Sequence, residues 1–320
     1  MATTSRGPSS FIDLRSGAQA LGRGLDPVPS KGRADMLAMI IFERTEALFG
    51  DPYYARLVNG FAAALSIRET AFAVLLPQGP GDVKRIARWA ASGHIDGAAL
   101  CAVPGSHPLA DQLAAAGIPL VFAGRPADAA RFSFVDIDNV GAAAHAVAHL
   151  VEGGRRTIAT ITGRRDGTAG EDRLRGYQKG LEAAGLPADP ALIETGNFTR
   201  EGGERAMRFL LLRRPQLDAV FVASDLMAVG ALEVLAQEGR RVPEDVAVTG
   251  FDDHPFAATL KPPLTSLRQP IEDQGREMAR MLLGLTSAPD QLPRKVILNS
   301  RLEVRASSAP VSGPRLASAS

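Results

Sequence analysis

From Met36 to about Arg305, short apolar runs alternate with longer segments in which apolar residues recur every three or four positions. Seven of the runs predict strands: Met36–Phe42, Ala71–Leu76, Gly97–Ala102, Pro119–Ala123, Thr157–Thr162, Ala219–Ala223 and Val246–Gly250. Unbroken apolar runs of this length mark strands covered on both faces, as in parallel sheets. The intervening segments predict helices over Tyr53–Ser66, Val83–Ser92, His107–Ala116, Val140–Glu152, Glu171–Ala184, Glu201–Leu212 and Leu226–Glu238. Gly117, Gly185 and Gly239 each stand just past a helix end, where a left-handed residue closes the last turn. The alternation predicts an α/β chain with helices on both faces of mostly parallel sheets, and enough units for two doubly wound sheets.

The stretch Val220–Asp253, VFVASDLMAVGALEVLAQEGRRVPEDVAVTGFDD, is one complete βαβ unit with acidic residues after each strand. In open α/β sheets the carboxyl edge of the strands is where small ligands bind, so the unit points to a ligand site there.

Composition narrows the classes. The 36 basic and 35 acidic residues nearly cancel, so no global charge draws the chain to nucleic acid or a membrane surface. A single cysteine, Cys101, excludes an intrachain disulfide. Residues 1–35 hold five glycines and three prolines and lack the apolar core of a secretory signal. They are expected to form a flexible leader in a cytoplasmic protein, and the Ser/Ala/Pro-rich tail is expected to be disordered. No apolar run is long enough to span a membrane.

The motifs present argue against an enzyme. No GxGxxG follows the first strand, and no GxxxxGK[ST] or GxSxG occurs. His145 and His149 share a helix face, but the AVA between them holds no Glu base and no third ligand is evident, so no metal and no cofactor is expected. Polar and aromatic residues after strands are the better candidates. Tyr53 and Tyr54 can stack on a ligand ring or serve the core. Arg173, at a helix start, can bind hydroxyls or carboxylates, or pair with Glu171 or Asp172. Asp225 is a helix cap or a ligand contact. Of Asp252 and Asp253, one is expected to accept hydrogen bonds from a ligand and the other to cap the next turn.

Seven segments in this order, DPYYARLVNGF, VDIDNVGAAAHAVAHLVEGGRRTIATITG, DRLRGYQKGLEAAGL, GNFTREGGERAM, VFVASDLMAVGAL, VPEDVAVTGFDD and PPLTSLRQP, resemble the LacI/GalR family of bacterial transcription regulators. The resemblance runs from about Asp35 to Ser307. It implies two periplasmic-binding-protein-like type I subdomains joined by three crossovers, expected near Val135–Asp138, Leu264–Gln269 and Thr286–Gln291. The first subdomain would combine 36–136 with 268–286, and the second 137–265 with 290–305, followed by a disordered tail over 306–320. It also implies a repressor-type sensor that binds a sugar or sugar-like effector in the cleft and alters DNA binding by hinge closure, as a homodimer. A transporter-linked solute-binding protein of the same fold is the alternative.

Carried over by position, the resemblance assigns ligand binding to Tyr53, Tyr54, Arg173, Phe198, Ser224, Asp225 and Asp252. Replacing Arg173 or Asp252 by alanine is then expected to weaken binding with little loss of fold. One departure is Gly124, which stands where sugar-binding members often carry an aspartate. Another is the front of the chain. Residues 1–35 are too few for the family's helix-turn-helix headpiece, although AQALGRG at Ala18–Gly24 weakly resembles its hinge segment. The DNA operator is thus a partner by resemblance, and this chain alone is expected not to bind DNA sequence-specifically.

Overall fold

The computed structural model describes residues 36–309 except 69, 106, 289 and 290. The leader and residues 310–320 of the tail lie outside the described residues.

Two six-stranded sheets organise the chain. The first contains β1 (Met36–Ile41), β2 (Ala71–Leu75), β3 (Gly97–Cys101), β4 (Leu120–Ala123), β5 (Ser133–Ile137) and β11 (Lys295–Leu298). The second contains β6 (Ile158–Thr162), β7 (Ile193–Thr195), β8 (Ala219–Val222), β9 (Ala247–Asp252), β10 (Thr265–Arg268) and β12 (Arg301–Glu303). Their orders, β11-β5-β4-β3-β1-β2 and β12-β10-β9-β8-β6-β7, repeat one topology. Every pairing is parallel except β10 with β12. Each order reverses at an inner strand, β1 or β6, and such reversals open a crevice at the carboxyl edge.

The helices are α1 (Thr45–Gly50), α2 (Pro52–Ser66), α3 (Pro80–Trp89), α4 (Pro108–Ala115), α5 (Asn139–Glu152), α6 (Thr168–Ala183), α7 (Arg200–Arg213), α8 (Asp225–Gln237) and α9 (Ile271–Ser287). In β1, Leu37, Met39 and Ile41 face a core shared with α2 and α9, while Ala38 and Ile40 face α3 and α4. The second sheet is covered in the same way, by α7 and α8 on one side and α5 and α6 on the other. Covering helices cross where glycine lets backbones meet. A β-carbon on Gly60 would stand 2.0 Å from the Glu272 carbonyl oxygen, and one on Gly275 2.2 Å from that of Leu57.

The chain passes between the sheets three times: from β5 into α5, from β10 into α9, and between β11 and β12. The third passage differs from the expected one near Thr286–Gln291. β11 pairs with β5 in the first sheet, so the chain returns to the second only after Leu298. KVIL is an edge strand with alternating exposure and carries little sign of its sheet. The expected disordered tail also begins too early. Ser307 and Ser308 are buried; Ser307 Oγ accepts from Thr265 N (2.8 Å) and donates to the Val248 carbonyl (2.6 Å). Serines are apt for this place because a hydroxyl both gives and takes a hydrogen bond.

Candidate inter-subdomain site

The carboxyl edges of the two sheets face one another, and residues following β1, β4, β5, β6, β9 and β10 meet between them. Arg173, in the first turns of α6, is buried. Its Nε donates to Asn139 Oδ1 (2.9 Å), its Nη1 donates to the Ala223 carbonyl (2.6 Å), and Nη1 lies 3.7 Å from Asp252 Oδ1. The guanidinium carbon sits 3.7 Å above the Phe251 ring centroid and 5.7 Å from that of Phe198. A buried cation is tolerable only when paired and hydrogen-bonded, and here both conditions hold. The ion pair with Glu171 or Asp172 left open by the sequence is absent from Arg173, because Glu171 pairs with Arg165 and Asp172 with Arg125.

Asp252 ends β9 with φ 109°, a positive value that aspartate and asparagine adopt more readily than most residues. Its carboxylate accepts from the Gln269 side-chain amide. Burial pushes its carboxyl above the usual range, while Arg173 and His254 pull it back. Asp253 caps no turn. Its carboxylate receives Arg268 Nε (2.6 Å) and lies 2.7 Å from Arg305 Nη2, tying β9 to β10 and the segment after β12.

The remaining expected residues separate into three roles. Tyr53 lies at the cleft, its hydroxyl donating to Gln274 Oε1 (3.2 Å), whereas Tyr54 is buried in the core of the first subdomain. Phe198, at φ 61°, lays its ring over Gly163, where a β-carbon would stand 1.8 Å from the ring tip. Ser224 caps α8 through Met227 N (3.3 Å). Asp225 is wholly buried, its oxygens taken by His254 N (2.8 Å) and Ser266 Oγ (2.5 Å). It holds the β8 and β9 ends together and faces no open space.

Sequence reasoning passed over Asp136, Asn139, His254, Gln269 and Gln274. Asn139 bridges Asp136 Oδ1 (3.1 Å) and Arg173, and Gln274 Nε2 donates to the Val135 carbonyl (2.8 Å). Asp136 Oδ1 lies 4.0 Å from where a Gly124 β-carbon would be, so the neighbouring strand supplies a carboxylate beside the glycine. The VDIDN segment was the available signal: it places Asp136 and Asn139 at a strand's carboxyl end.

His254, buried, joins the halves. Its Nε2 stands 3.4 Å from Asp51 Oδ1 in the first subdomain and 3.7 Å from Asp252 Oδ2 in the second. Burial alone lowers its pKa, but the facing Asp51, with Asp252 and Asp225, raises it above the ordinary value. The unfolded imidazole titrates at about 6.5. The resulting stabilisation is therefore full below that pH and lost as pH rises through the raised folded value. Asparagine at 51 keeps the α2 cap and removes the charge. The melting-temperature difference between the wild type and Asp51→Asn is expected to shrink across that window, and a difference that does not change with pH would count against the contact.

Further bonds close the cleft. Arg125 Nη2 lies 2.5 Å from Asp172 Oδ2, Arg164 Nη1 3.1 Å from Glu43 Oε1, and Thr168 Oγ1 donates to the Arg125 carbonyl (2.6 Å). Among the described residues no helix is long and apolar enough to cross a membrane.

Residues 147–308 match the family model described as a periplasmic binding protein-like domain. Over 277 residues the chain is 43% identical to the HTH-type transcriptional regulator CelR of Thermobifida fusca, covering 86% of this chain and 82% of that protein. A solved LacI-family regulatory protein from Chloroflexus aggregans is similar in structure, with TM-score 0.73 and 29% identity over 86% of this chain and 99% of that one. The chain belongs to the LacI/GalR family. Among solved LacI/GalR regulators, a transcriptional regulator CelR-cellobiose complex has TM-score 0.84 and 42% identity, covering 92% of this chain and 89% of that one. The CelR relatives are transcriptional regulators by name.

Proposed function

We propose that this chain is the effector-sensing part of a LacI/GalR transcriptional regulator, and that its effector is a glucose-type sugar of the cellobiose kind bound between the subdomains. The observation that carries the reading is the buried set of Arg173, Asp252, Asn139 and Asp136 beside Phe198, Phe251 and Tyr53. Hydroxyls are recognised by such forked donors and carboxylates, and the C–H face of a sugar by aromatic rings. The similarity to a regulator solved with cellobiose supports the sugar class.

The geometry also supports a route from ligand to hinge. Asn139 begins α5, just after the first crossover, and binds Arg173. Gln269 lies in the second crossover and binds Asp252. A sugar that recruits Arg173 and Asp252 competes directly with bonds that hold two crossovers, and so biases the angle between the halves. A ligand shifts such an equilibrium by its differential affinity for the two arrangements. Operator binding, homodimerisation and cytoplasmic residence belong to this reading.

The test is a thermal-shift panel on the purified chain with cellobiose, glucose, maltose, ribose, nucleosides and purines. A ligand at 100 times its Kd stabilises by about 2.7 kcal/mol. Cellobiose is expected to raise Tm most. A response confined to nucleosides or purines, or none at all, overturns the sugar assignment.

A further inference from the structure

A cavity opens where the two subdomains meet. It encloses about 530 Å³, within the range of small-molecule sites (~300–1,000 Å³). It lies at the carboxyl edge of the first sheet, among the segments that follow β1, β2 and β3, and Arg164 of the second subdomain forms part of its wall.

Its lining mixes flat apolar surface with hydrogen-bonding groups. Phe42 and His107 stand with ring centroids 4.5 Å apart, and Pro80 and Pro104 add apolar faces. His107 Nδ1 accepts from Leu109 N (3.2 Å), so the neutral ring carries its proton on Nε2 as a donor. Burial holds the imidazole pKa below its ordinary value. Rings for stacking with a few placed polar groups are the features that recognise a pyranose.

Two connections join this cavity to the buried set. Arg164 follows Gly163, the residue beneath the Phe198 ring, and Phe198 lies beside the Arg173 guanidinium. In the core of the first subdomain, burial and then the carboxylates of Glu43, at the cavity, and Asp51, at the inner site, raise the Tyr54 hydroxyl pKa, while Arg164 pulls it back. The Glu43–Arg164 pair that bridges the subdomains stands at the boundary.

We infer that this cavity is an outer subsite for further rings of the same oligosaccharide, whose first rings occupy the inner site. The inference rests on the sugar-sensor reading above. A longer sugar would then touch Arg164 and Glu43 together and add to closure, so that chain length is sensed as well as sugar type.

The experiment is calorimetric titration of the purified chain with glucose, cellobiose, cellotriose and cellotetraose, for the wild type, His107→Asn and Phe42→Leu. Asparagine keeps the cap on α4 while removing the ring, and leucine keeps an apolar side chain on the first-sheet core. In the wild type, affinity is expected to rise about tenfold on adding the ring that reaches the cavity. Both variants are expected to lose that gain and to bind the shorter sugars within twofold of wild type. Wild-type affinity that is independent of chain length, or variants that weaken all lengths equally or retain the full gain, overturns the subsite. Absence of binding by any of the sugars overturns the sugar reading itself and the subsite with it.

Discussion

Arg173→Ala is expected to abolish the sugar-induced thermal shift and also to lower the Tm of the free protein. The second effect revises the expectation from sequence, which allowed little loss of fold. Arg173 is buried, and removing it leaves the Asp252 carboxylate without its facing cation and Asn139 Oδ1 and the Ala223 carbonyl without their donor. Breaking a buried charge pair from one side costs roughly 3–5 kcal/mol. For a domain of this order that is roughly 6–20 °C in Tm. Differential scanning calorimetry with and without cellobiose separates the two effects. A variant with normal free-state Tm would show that the guanidinium is not the keystone of the cleft. One with a normal ligand shift would remove it from the site.

Asp252→Asn is expected to weaken effector binding roughly 10- to 150-fold, the loss of a charged hydrogen-bond partner worth ~1.5–3 kcal/mol. Asparagine is the informative choice because the backbone at 252 has positive φ, which alanine would strain. It also leaves a group that Gln269 is able to meet, so the second crossover keeps a partner. Since Arg173 and Asp252 face each other, their effects on stability are expected to be non-additive: the double variant should be less destabilised than the sum of the singles. Strict additivity, measured by denaturant titration, would mean the 3.7 Å separation carries no coupling. Unchanged cellobiose affinity in Asp252→Asn would take this carboxylate out of the recognition set.

Much of the fold was legible because central strands of doubly wound sheets are apolar on both faces, as β3 and β8 are. β5 escaped notice although all five residues are buried, because Ser133 and Asp136 interrupt the run. β7, β11 and β12 are short edge strands with partial exposure, and their alternation is too brief to read. The short helix α1 has no buried residue and hence no apolar stripe.

At the site, Arg173 and Asp252 stood out as charged groups at element ends, whereas Gln269 and Gln274 did not. An amide gains its meaning from what folding brings to it. Gln274 meets Tyr53 across 221 positions of chain, and no local pattern announces that. Asp225 misled for a related reason. A helix-start acid reads as a cap or a ligand contact, yet Ser224 caps α8 and the β9 end and β10 close over Asp225.

The three passages between the sheets have a consequence for how this protein breaks. Each half is stitched from separate lengths of polypeptide, so neither corresponds to one continuous fragment. Scission of any single connection leaves two covalent tethers between the halves, and the particle stays whole. Separation requires all three to be severed, which makes the joint tolerant of nicks while leaving it free to bend.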